Sequence, residues 1–110
     1  MIDDLESVFE EIQQLLDAPR SGTDAPPLDT LEHTLTSGYA RALALEAERW
    51  RLERRLGEVA ATLAGEKSDL GTQELIGLAK RLSNADGELT RLRSLLGSLR
   101  VRATEARATA

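Results

Sequence analysis

The chain has 110 residues, 41% of them hydrophobic and 30% charged, with a net charge of −5. That length and balance fit one globular domain rather than a disordered chain. The absence of Cys excludes disulfides, thiolate catalysis and cysteine metal sites, and no apolar run approaches the roughly 18 residues that a bilayer span requires.

The opening segment carries Asp3 and Asp4 in place of a basic region followed by an apolar one, which sets the expectation of a cytoplasmic protein. Within it Ile2, Leu5, Phe9, Ile12 and Leu16 alternate spacings of three and four, the period that keeps side chains on one helical face. Residues 1–18 are therefore expected to form an acidic amphipathic helix. Pro19 ends it, because the residue before a proline is driven out of helical geometry. Residues 19–28, rich in Ser, Gly, Asp and Pro, read as a flexible linker.

Asp29 and Glu32 have the spacing of a capping box, so a second helix is expected over residues 29–64. Its seam runs Leu28, Leu31, Leu35, Gly38, Ala42, Leu45, Arg49, Leu52, Leu56, Val59, Leu63, a sustained heptad. A stretch from Gly65 to Gly71 supplies the turn. The third helix is expected over residues 72–104, with a seam of Leu75, Leu78, Leu82, Ala85, Leu89, Leu92, Leu96, Leu99, Ala103 and Ala106. At about 1.5 Å per residue the two helices are each roughly 50 Å long, and their short connection makes them antiparallel neighbours over residues 29–110.

A turn centred near Ser68 pairs positions whose numbers sum to about 136. This register sets Leu45 beside Leu92, Leu52 beside Ala85, and Arg49 near Asp86 and Glu88. Arg49 stands at a seam position, where a charge is costly unless paired, so a buried ion pair with Asp86 and Glu88 is expected. Charge is also segregated along the chain. The first third is acidic, with Arg20 its only base, whereas Arg91, Arg93, Arg100, Arg102 and Arg107 make the C-terminal end basic.

The fold class is thus all-α: a short N-terminal helix and a long antiparallel two-helix coiled-coil hairpin. Two helices bury only the seam between them, at about 1.5 to 3 kcal/mol per Leu against ordering costs of roughly 1 to 2 kcal/mol per residue. Apolar residues left outside the seam, Tyr39, Leu43, Ala47 and Trp50 on the second helix, mark where further burial is wanted. With Phe9 and Ile12 of the first helix they form the expected partner or dimer interface. A homodimeric helical bundle is the simplest completion, since closed two-fold assemblies are the commonest oligomers.

No catalytic or metal-binding constellation is present. His33 is the single histidine and reads as a solvated or capping residue. The Glu-x-x-His pairs of carboxylate-bridged metal sites are absent, as are phosphate-binding glycine loops. No cofactor is expected. Nucleic acid is an unlikely partner for a chain this acidic. Trp50 lies among Arg49, Arg51, Arg54 and Arg55, and Trp with Arg is the pairing most enriched at interface hot spots.

The order of one short and two long helices resembles that of flagellar export chaperones, a likeness of architecture alone. The leading expectation is a non-enzymatic adaptor or regulator that binds another protein. A chaperone-like or anti-sigma-like protein that captures a client helix is the first alternative. A bundle holding a small anionic ligand or nucleotide between arginines such as Arg49 and Arg91 is the second.

Overall fold

The computed structural model describes residues 4–109, with the side chains from Leu5 onward. Ile2 of the expected first-helix face lies outside them, as do Met1, Asp3 and Ala110. The described residues form three helices and no strands: α1, Asp4–Asp17; α2, Leu28–Gly65; and α3, Asp69–Ala108. Helices α2 and α3 pack against each other as a hairpin.

Each boundary has a local cause. The first free amides of α2, those of Thr30 and Leu31, donate to the Pro27 carbonyl at 3.0 and 3.2 Å. Glu32, expected as the far half of a capping box, instead accepts from Arg107 at 2.8 Å. Helix α3 starts at Asp69, ahead of the expected Thr72, because Ser68 caps it: the Gly71 amide donates to Ser68 Oγ at 3.0 Å. Gly71 therefore belongs to the first turn of α3 rather than to the connection. A Cβ there would lie 2.7 Å from Leu63 Cδ2 and 2.9 Å from Ser68 Oγ, so glycine lets the start of α3 close onto the end of α2. In the linker, Gly22 takes a φ of 93°, a left-handed conformation that side chains resist.

The chain divides into two compact units. The first joins the residues up to Ala42 with those from Arg91 onward and holds all of α1, the start of α2 and the end of α3. Its core is Leu5, Phe9, Ile12, Leu31, Leu92, Leu96, Leu99 and Ala103, all buried. Three helices meet here, which is why Ile12, Leu92 and Leu99 reach zero exposure. Gly38 sits against the Leu96 side chain, and a Cβ on it would also come within 3.7 Å of Ile12 Cδ1.

The second unit, Leu43–Thr90, holds the rest of the hairpin. Its core is Leu52, Val59, Leu78 and Ala85, flanked by the half-buried Leu56, Leu63, Leu75 and Leu82. Only two helices contribute. Leu56, Leu63, Leu75 and Leu82 remain partly open at the edges of the seam, as a two-helix stripe demands.

Candidate docking surface on α2

The hairpin seam is occupied within the chain. Leu45, Leu52, Leu89, Leu92 and Leu96 are buried, and Leu56 and Leu82 are half-buried. Arg49 does pair with Asp86, Nη1 to Oδ1 at 3.1 Å, and more loosely with Glu53 at 3.7 Å. The expected burial of that pair is corrected: the side chains are 37% and 53% exposed. A long guanidinium carries its charge from a seam position to the rim and stays hydrated there. Glu88 is exposed on α3 and is not the carboxylate that holds Arg49.

Phe9 and Ile12 also need correction as interface residues. Both are buried, at 3% and 0%, because α1 spends its apolar face inside its own unit. The guanidinium of Arg91 lies 4.2 Å from the centroid of the Phe9 ring, a cation–π contact. Arg102 is 8% exposed, and its guanidinium donates to the carbonyls of Leu16 at 2.7 Å, Ala18 at 2.9 Å and Pro19 at 3.4 Å. Helix α1 has no basic residue in its own last turn. Arg102 supplies that positive charge from α3 and satisfies carbonyls that a helix end leaves unpaired. The basic C-terminal end thus meets α1 through its main-chain terminus and an aromatic face. Nothing in the seam pattern pointed to Arg102, which stands off the seam of α3.

The remaining stripe is different. Leu43 is 66% exposed, Trp50 59% and Tyr39 41%, and Ala47 is exposed with them. In the Leu43–Thr90 unit, at about 100° per residue, Leu43, Ala47, Trp50, Arg54, Gly57 and Ala61 occupy one sector of α2 roughly 80° wide. All six are exposed. The first half of this face is bulky and the second half is nearly bare, with nothing within 4 Å of where a Cβ on Gly57 would stand.

Charge surrounds the stripe in an ordered way. Arg54 lies 5.5 Å from the Trp50 ring centroid and 3.7 Å from Glu58. Arg55 shares Glu58 with it, at 3.5 Å, and pairs more closely with Glu74 of α3 at 2.7 Å. Its guanidinium is held above its ordinary pKa, chiefly by the hydrogen bond to Glu74, then by the charges of Glu74 and Glu58. Arg51 is exposed and enters none of these pairs.

The arginines considered for an anionic ligand are engaged elsewhere, Arg49 by Asp86 and Arg91 by Phe9. A groove of about 280 Å³ beside the turn is walled by Arg55, Glu58, Val59, Leu63, Leu70 and Glu74, and its one arginine is already held by the two carboxylates. Among the described residues no cluster of three or more His, Asp or Glu is placed to hold a metal ion. No described helix is long and apolar enough to cross a membrane. No protein-family model, curated protein or solved structure matches this chain.

Proposed function

We propose that this protein is a non-enzymatic helical interaction module, an adaptor or regulator that works by docking another helix on the outer face of α2. The observation that carries the reading is the exposure of Trp50 and Leu43 on a unit built from only two helices. A large aromatic left in water beside an arginine is the composition of an interface anchor. Burying it offers about 1.5 to 3 kcal/mol per large side chain, which a two-helix segment needs more than a three-helix one does. A homodimer is the simplest form of the module.

Sedimentation equilibrium of the native chain and of Trp50→Ser tests this. The native protein is expected to associate in the micromolar range. Trp50→Ser should be monomeric with unchanged helix content, because the ring supports no core within the chain. Association that survives Trp50→Ser, or a native protein that neither self-associates nor binds any partner, would contradict the reading.

A further inference from the structure

We propose that the occupant of this face is a second copy of the chain, packed antiparallel along α2 so that Trp50 of each subunit rests over Gly57 and Ala61 of the other. The inference rests on the reading of the α2 face as a docking surface and adds its partner and geometry.

The face is divided by size, with Leu43 and Trp50 on one side of Arg54 and Gly57 and Ala61 on the other. An antiparallel two-fold near Arg54 lays the bulky half of each copy on the bare half of its mate, which is self-complementary as an isologous interface must be. A parallel pair would instead stack Trp50 on Trp50 and leave Gly57 facing Gly57 across a gap. Gly57 offers the space: nothing in its own chain lies within 4 Å of the Cβ it lacks.

Charge agrees with the same offset. Arg51, outside the intrachain pairs, comes opposite Glu58 of the partner subunit, and the two-fold repeats that contact. Glu58 has capacity for it, since its own arginines stand at 3.5 and 3.7 Å. Arg54, nearest the two-fold, lies over its own Trp50 ring, with Glu58 of its own chain at 3.7 Å. Trp50 is 59% exposed, so each ring has on the order of 90–150 Å² left to bury, and the pair supplies roughly a seventh to a quarter of the about 1,200 Å² at which specific interfaces begin. Leu43, 66% exposed, and the exposed Ala47 and Ala61 add to it on both copies.

The native chain has no cysteine, so single-cysteine variants report the geometry directly. Under mild oxidation Arg54→Cys is expected to cross-link to itself. Ala47→Cys and Ala61→Cys should form a disulfide efficiently only when mixed. If each of those two cross-links alone and mixing adds nothing, the pair is parallel and the proposal falls, while the docking reading stands. A second variant, Gly57→Leu, fills the expected hole, has a Cβ that meets nothing in its own chain within 4 Å, and improves helix propensity. It should weaken self-association at least tenfold with helix content intact; undiminished association would overturn the proposal. A native chain that stays monomeric and shields Trp50 only on adding a different protein would assign the face to a client helix and overturn self-pairing alone. A monomer that binds nothing overturns both readings.

Discussion

Arg102 shows what one residue does at a helix end. Its planar fork spans the carbonyls of Leu16 and Ala18, a contact of charge with unpaired acceptors in a part-buried setting. Replacing it with Met keeps the apolar stem and removes the donors. Arg102→Met is expected to destabilise the chain by about 2 kcal/mol in urea unfolding, since hydrogen bonds to charged groups contribute roughly 1.5 to 3 kcal/mol each. Arg102→Lys should recover only part of that, because an ammonium cannot fork. Equal stability of all three would show the carbonyls to be satisfied by water. The sequence alone hides this role. An arginine off the seam reads as solvated, and its acceptors are main-chain carbonyls at the end of α1 and the start of the linker, which no side-chain periodicity encodes. Arg49 is the converse case. Its partner Asp86 was legible from the register, but its exposure was not, because side-chain length decides where the charge ends up.

At the scale of the helix, alternating threes and fours located the buried faces of α2 and α3, because that spacing is the geometry of helix contact. The ends were less legible. Ser68 supplies the cap of α3 through its own hydroxyl, whereas a Gly-rich run suggested a longer turn. The glycines of the helices divide by surroundings in a way composition cannot show. Gly38 faces Leu96 and Ile12, whereas Gly77 has nothing within 4 Å of its missing Cβ. Gly77→Ala is therefore expected to stabilise by up to about 1 kcal/mol through helix propensity. Gly38→Ala should gain as much from propensity but lose about 1 to 3 kcal/mol to overpacking against a buried leucine, for a net loss. Thermal unfolding of the two variants, one shifted up and one down, checks the assignment. Equal upward shifts would mean that Leu96 yields without cost.

Across the whole molecule, the segregation of helices between the two units carries the functional account. One unit has α1 to complete its core, and Phe9 and Ile12 are consumed in doing so. The other has two helices and an uncovered face. The sequence marked Leu43, Ala47 and Trp50 as apolar and off-seam, so the face was legible. That Phe9 and Ile12 belong to the interior was not, since an amphipathic helix on a flexible linker has no sequence signal for the surface it covers. Trp50 is the only tryptophan and lies at the centre of that face, so its fluorescence reports directly on whether the face is covered. The central measurement is its emission wavelength across a dilution series of the native chain. The account predicts blue-shifted emission at high concentration that moves to the red on dilution, with helix content constant. Emission characteristic of water at every concentration, with or without candidate partners, would contradict it.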